Sequence, residues 1–184
     1  MLAAREQVPE SERARWSRSI AAHIAEMEPY RSASVILAYM NFGAEFESEI
    51  QVRQALASGK ILLLPKVNTA MRELELYRVE DVDMQLAPGA YGIREPVVER
   101  CKQLMKLEEI EFILLPGVAF GRDGARLGYG GGFFDKLLAR MAHRPVLVAG
   151  AYSMQLVANI PMEANDRRVD WLVTESETIR CKHD

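Results

Sequence analysis

From Pro116 to Asp135 the chain reads Pro-Gly-Val-Ala-Phe-Gly-Arg-Asp-Gly-Ala-Arg-Leu-Gly-Tyr-Gly-Gly-Gly-Phe-Phe-Asp, so a strand end, a basic residue, a run of glycines and a carboxylate follow one another directly. Glu111 to Pro116 is an apolar run of strand length, and Phe133 to Met141 has the spacing of an amphipathic helix. The glycines are therefore expected where a strand hands over to a helix. Amides at a helix start lack intrahelical partners and carry partial positive charge, which suits an anion. Gly128, Gly130, Gly131 and Gly132 can take positive φ and let backbone amides come close to a phosphate. Arg126 adds a fork of charged donors, and Asp135 is a carboxylate of the kind that holds magnesium between phosphates.

The stretch is neither of the common nucleotide loops. No Gly-Lys-Ser/Thr follows the glycines, and their spacing fails the dinucleotide pattern. The competing structural reading is a flexible turn with a surface aspartate, but so many glycines cost ordering entropy that a plain turn does not require.

The surrounding sequence supplies the frame. With 184 residues, 49% of them hydrophobic, the chain has enough apolar material for one sizeable core, so a single domain is expected. Its 23 basic and 26 acidic residues give a net charge of −3 and no basic face, which argues against nucleic acid as a partner. Cys101 and Cys181 are far apart and lack the spacing of a zinc or disulfide framework, so both are expected to be ordinary thiols in a reducing compartment. The first residues contain no apolar signal region and no stretch reaches membrane-spanning length; the expectation is a cytoplasmic protein that avoids membranes.

Apolar periodicity predicts a helix from Pro9 to about Met27, with Trp16, Ile20, His23, Ile24 and Met27 on one stripe, so His23 reads as a packing residue. Ser34–Met40 is a strand candidate, and Ser48 with Gln51 predicts a capping box for a helix ending at Gly59. Strands follow at Ile61–Pro65 and, as an outer one, Leu74–Val79; a long loop then contains Pro88, Gly89, Gly92 and Pro96. Lys102–Glu109 is a short helix candidate, and Pro145–Ala151 and Val169–Thr174 are two further strands. The alternation predicts an α/β fold: one three-layer domain with a mostly parallel sheet flanked by helices and a ligand loop at a strand's carboxyl end.

Gly124-Ala-Arg-Leu-Gly-Tyr-Gly-Gly-Gly-Phe-Phe-Asp-Lys-Leu-Leu138, after Leu114-Leu-Pro-Gly-Val-Ala-Phe120, resembles the signature of the 5-formyltetrahydrofolate cyclo-ligase family, also called 5,10-methenyltetrahydrofolate synthetase. The resemblance continues in order through Ile36–Glu45, Gly59-Lys60 with Leu64-Pro-Lys66, Tyr91-Gly-Ile-Arg-Glu-Pro96 and Asn165–Thr174. It implies a one-domain α/β fold and the ATP-driven, magnesium-dependent cyclisation of 5-formyltetrahydrofolate to 5,10-methenyltetrahydrofolate, with ADP and phosphate released. By position it implies catalytic roles for Arg126, Tyr129 and Asp135. ATP would meet Arg5, Arg126, Leu127, Gly128, Tyr129, Gly130, Gly131, Gly132, Phe133 and Phe134. The folate would meet Met40, Phe42 and Glu45 together with Tyr129, Gly130, Gly131, Gly132 and Phe133. Asp135 and Asp166 would hold magnesium, and Tyr91, Glu95 and Pro96 would shape the folate pocket.

The alternatives from the residues alone are that Met40 and Phe42 belong to the core, that Glu45 is a solvated charge and that Asp166 caps a turn. Three features depart from the family pattern. No lysine of the opening basic segment precedes Arg5, which leaves a late start, substitution by Arg5, or reduced activity. Phe133 and Phe134 stand where the family has tyrosines, keeping stacking but losing phenolic hydrogen bonds, and Lys136 replaces an arginine. The second reading is a binding protein of the same fold that holds a reduced folate or nucleotide without turnover.

Overall fold

A computed structural model describes residues 1–103, 106–162 and 166–182. Among them the helices are α1 (Leu2–Glu6), α2 (Glu10–Glu26), α3 (Glu28–Ser32), α4 (Glu49–Ala57), α5 (Val82–Gln85) and α6 (Phe133–Ala139). The strands are β1 (Val35–Leu37), β2 (Ile61–Asn68), β3 (Glu73–Val79), β4 (Leu86–Pro88), β5 (Arg94–Pro96), β6 (Lys102–Gln103), β7 (Phe112–Leu114), β8 (Ala119–Gly121), β9 (Arg126–Leu127), β10 (Val146–Gly150), β11 (Leu156–Val157), β12 (Trp171–Val173) and β13 (Thr178–Arg180).

Eight strands form the main sheet in the order β13-β12-β10-β7-β1-β2-β3-β6. The run from β12 to β2 is parallel, while β13, β3 and β6 pair antiparallel at its two sides. Successive strand residues point to opposite faces, so the apolar runs feed two cores. Ile36, Leu62, Phe112, Leu114 and Val148 pack against α2 and α4, through Ile20, Ile24, Val52 and Ala55. Leu37, Leu63, Ile113, Leu147 and Leu172 pack on the other face against Leu137 and Leu138 of α6. The crossovers β1–α4–β2 and β7–α6–β10 travel outward in opposite directions; right-handed connections then put their helices on opposite faces, giving the expected three layers. The expected mostly parallel α/β sheet is present.

Individual elements differ from the sequence reading for physical reasons. Ser48 precedes α4, but its hydroxyl does not cap the helix; it donates to the Tyr39 carbonyl at 2.5 Å and closes the loop leaving β1. A Schellman pair of bonds, Gly59 N to Leu56 O and Lys60 N to Ala55 O, ends α4 where the glycine marked it. Strand β2 continues through Pro65 to Asn68. The odd-numbered residues of β2 face β1, as the bonds from Ile61 N to Ser34 O and Ala38 N to Leu63 O require. Pairing with β1 stops at Leu63, so the donor that Pro65 lacks would have met an open edge. Lys102–Glu109 is not one helix: Lys102 and Gln103 extend the sheet beside β3, Leu107–Glu109 forms a single 3₁₀ turn, and residues 104–105 lie outside the described set. The glycine loop does not directly follow β7. A hairpin, β8 and β9, intervenes, and its second strand begins with Arg126.

His23 Nδ1 lies 3.0 Å from the Thr174 carbonyl, and both cysteines are free thiols. Tyr152, fully buried, joins three segments: its hydroxyl donates to the Glu45 carbonyl at 2.9 Å, lies 3.0 Å from Ser17 Oγ, and its ring stands 5.3 Å from that of Trp16. Replacing Tyr152→Phe leaves the Glu45 carbonyl without that donor and is expected to lower unfolding stability by about 1–2 kcal/mol, measured by urea denaturation.

Candidate functional site

The sheet reverses direction of growth between β1 and β7, and the segments leaving these strands diverge. In open parallel sheets that divergence creates a crevice at the carboxyl ends. Here it holds a cavity of about 410 Å³. Tyr39 and Met40 enter it from the end of β1, Pro116 from the end of β7, and Pro65, Val67 and Leu74 from the β2–β3 hairpin. Tyr91, Ile93, Arg94 and Glu95 supply one wall, while Arg126, Gly128, Tyr129 and Gly131 to Asp135 supply the other.

The charged side of the cleft is built around Arg126. Its side chain is only 5% exposed, Nη2 donates to Asp135 Oδ1 at 2.5 Å, and Nη1 donates to the Pro116 carbonyl at 3.2 Å. This ties the end of β7 to the first turn of α6. Gly130 and Gly132 have φ of +85° and +63°, and a β-carbon on either would meet open space. Their requirement is thus the left-handed backbone itself, which glycine adopts without strain. Gly128 and Gly131 keep negative φ, unlike the expectation for the whole run. No side chain caps α6 at Gly132, so the amides of its first turn remain available beside the cleft.

The opposite carboxylate is Glu45. It is buried, accepts from the Phe42 amide at 2.8 Å, and has its pKa raised chiefly by burial, an effect opposed by the Tyr129 hydroxyl, that amide and Arg5. Burial and the Glu45 charge push the Tyr129 phenol up to about 12, and burial holds Tyr39 well above its ordinary value, so both are neutral donors at physiological pH. Glu95, also buried, accepts from the Val67 amide at 3.2 Å and pairs with Lys66 at 3.5 Å, which fastens the β4–β5 hairpin to β2.

The structure brings together most of the residues singled out from sequence. Met40, Phe42, Glu45, Arg126, Gly128, Tyr129, Gly131, Gly132, Phe133, Phe134 and Asp135 all line the cavity. Met40 is buried within the core as well as reaching the cleft, so the core alternative holds for it; Phe42 is largely exposed, and Glu45 is no solvated charge. Leu127, at the end of β9, and Gly130, in the loop, are not in the lining, and Leu127 is largely exposed. Arg5 is buried behind Tyr129 without lining the cavity. Asp166, half-buried in the segment entering β12, is not a lining residue, and Asn165 of the same motif lies outside the described set. Sequence reasoning missed Tyr39, Val67, Leu74 and Pro116 as lining residues. Tyr39 was hidden in an apolar run, and Val67 and Leu74 reach the cleft only because β2 runs past its proline.

Among the described residues no group of three or more His, Cys, Asp or Glu side chains could by itself cage a metal. A magnesium ion shared with phosphates requires less: one or two carboxylates, the remaining positions being filled by phosphate oxygens and water. Asp135 fits that need, since it lines the cleft with its side chain 23% exposed. A larger open groove of about 780 Å³ lies at the amino-terminal edge of β10 and β12. Its arginines are already engaged, Arg144 with Asp170 at 2.9 Å and Arg180 over the Trp171 ring at 5.6 Å. No described helix is long and apolar enough to cross a membrane.

The same fold occurs in the NMR structure of the 5,10-methenyltetrahydrofolate synthetase of Aquifex aeolicus, which superposes with a TM-score of 0.85 at 34% identity, covering 100% of this chain and 90% of that one. The 5-formyltetrahydrofolate cyclo-ligase of Haemophilus influenzae is 28% identical over 147 residues, 79% of this chain and 78% of its own. A probable 5-formyltetrahydrofolate cyclo-ligase of Schizosaccharomyces pombe is 28% identical over 176 residues, 89% of this chain and 86% of its own. Residues 1–175 match the 5-formyltetrahydrofolate cyclo-ligase family. The chain belongs to the 5-formyltetrahydrofolate cyclo-ligase family, a family of ligases.

Proposed function

We propose that the protein converts 5-formyltetrahydrofolate and ATP to 5,10-methenyltetrahydrofolate, ADP and phosphate with the help of magnesium. The observation that carries this reading is the single cleft in which a buried carboxylate, Glu45, faces an arginine–aspartate pair and an uncapped glycine turn. One side suits the amino and imino hydrogens of a reduced pterin; the other suits a polyphosphate.

The reaction begins with attack of the formyl oxygen on the γ-phosphorus, and ADP departs. The resulting imidate phosphate has a carbon that nitrogen 10 of the folate can reach. Nitrogen 10 bonds to that carbon and gives up its proton, and phosphate leaves with the former formyl oxygen, completing the methenyl bridge. The protein's task is alignment and charge neutralisation, so no nucleophilic side chain is needed. Glu45 orients the ring, Arg126 and the loop amides hold phosphate oxygens, and the apolar surfaces of Phe133 and Phe134 exclude water. Asp135 would hold magnesium, which would neutralise phosphate charge; Asp166 as a second carboxylate is not required by this reading.

Purified protein mixed with 5-formyltetrahydrofolate and magnesium ATP is expected to form methenyltetrahydrofolate, followed by absorbance, in equal amount to ADP. Binding of either ligand with no turnover would instead favour the folate- or nucleotide-binding reading. Asp135→Asn is expected to reduce turnover by about 100-fold or more, on the order of the loss of a transition-state charge contact, while folate affinity by titration changes little. Glu45→Gln is expected to raise KM for 5-formyltetrahydrofolate roughly 10- to 100-fold, the range of a hydrogen bond to a charged acceptor, with KM for ATP nearly constant.

A further inference from the structure

Arg5 is an unusual place for a phosphate-binding cation. Its residue is 3% exposed and its head does not line the cleft. Nη2 donates to the Tyr129 hydroxyl at 2.7 Å, Nη1 donates to the Gly117 carbonyl at 3.5 Å, and the guanidinium lies 6.0 Å from the Tyr129 ring centre. Nε has no partner among the described residues. Burying an arginine this far costs desolvation energy that two neutral acceptors only partly offset.

Tyr129 explains the expense. It stands between Gly128 and Gly130, where the backbone constrains a side chain least, and 48% of its surface is exposed to the cleft and solvent. Its hydroxyl shares the cleft with the Glu45 carboxylate, whose charge helps to raise the phenol's pKa. A ring on so loose a segment keeps one orientation only if its far end is held. The Gly117 contact anchors Arg5 to the loop leaving β7, a loop that Gln155 Nε2 also grips at the Gly117 and Val118 carbonyls.

We infer that Arg5 is a positioning residue for the folate half of the site: acting through Tyr129, it holds the phenol against Glu45 and so joins the glycine turn to the end of β1. This rests on the proposed folate reaction, and it assigns Arg5 to the folate rather than to the ATP phosphates.

Steady-state kinetics on the full-length protein, varying each substrate separately, test it with Arg5→Met, Arg5→Lys, Tyr129→Phe and Arg5→Met/Tyr129→Phe. Arg5→Met is expected to raise KM for 5-formyltetrahydrofolate roughly tenfold, the scale of a charge-assisted hydrogen bond, with KM for ATP within about twofold of wild type. Arg5→Lys should recover part of that loss, and the double variant should be no worse than Tyr129→Phe, because both changes break one connection. A rise in KM for ATP instead, or independent effects of the two substitutions, overturns the inference. Should Arg5→Met not fold, as judged by loss of a cooperative melt, Arg5→Lys and Tyr129→Phe supply the same split between substrates. A wild-type protein that makes no methenyl product refutes the underlying reaction; a wild type that turns over with Arg5→Met unchanged refutes this role alone.

Discussion

The pairing of β1 with β7 is the constraint on which the site depends. Ile36 lies beside Phe112 and Leu37 beside Ile113, both pairs buried, and the chain leaves these two strands toward opposite halves of the sheet. Two right-handed crossovers therefore separate just above the strand ends and leave a crevice that no side chain needs to carve. The apolar run that holds the sheet together also fixes where a polar ligand can enter. A shift of one residue in either strand would exchange its two faces and bring the wrong residues to the crevice rim.

Charge in this crevice is divided by position. Arg126 and Asp135 neutralise one another at the glycine turn, and Lys66 and Glu95 form a second pair across the hairpin wall. Among the described residues Glu45 has no arginine or lysine in direct contact; an amide and a phenol stabilise it. Such a carboxylate keeps its acceptor capacity for a ligand bearing neutral donors. The Lys66–Glu95 pair, by contrast, holds backbone segments in place, so one cleft combines a preorganised frame with an acceptor that has not been consumed.

Much of this was readable from the residues. The buried strands announced themselves because the parallel centre of the sheet is covered on both sides and needs uninterrupted apolar runs, as at Phe112–Leu114 and Val146–Gly150. The glycine loop pointed to the cleft because few structural needs account for Arg126, Gly130, Gly132 and Asp135 in that order. The hairpin β8–β9 was not readable: its strands are three and two residues long, too short for alternation to register. Ser48 misled because a hydroxyl before a helix reads as a cap, yet the unpaired Tyr39 carbonyl claimed it. Arg5 was legible as a cation but not as a buried one, since only the fold places Tyr129 next to it.

Pro65 carries a further consequence. Past Leu63, the β1-facing side of β2 has no strand paired to it among the described residues; the Val67 amide on that side is taken by Glu95, and Pro65 and Val67 line the cleft. An uninterrupted row of amide donors there would be a template for an extended peptide, including a segment of another copy of the chain. The pyrrolidine ring removes one donor where β1 ends and presents apolar surface instead. The crevice is thereby kept for a small molecule with its own donors, and the edge that creates it is denied to a strand.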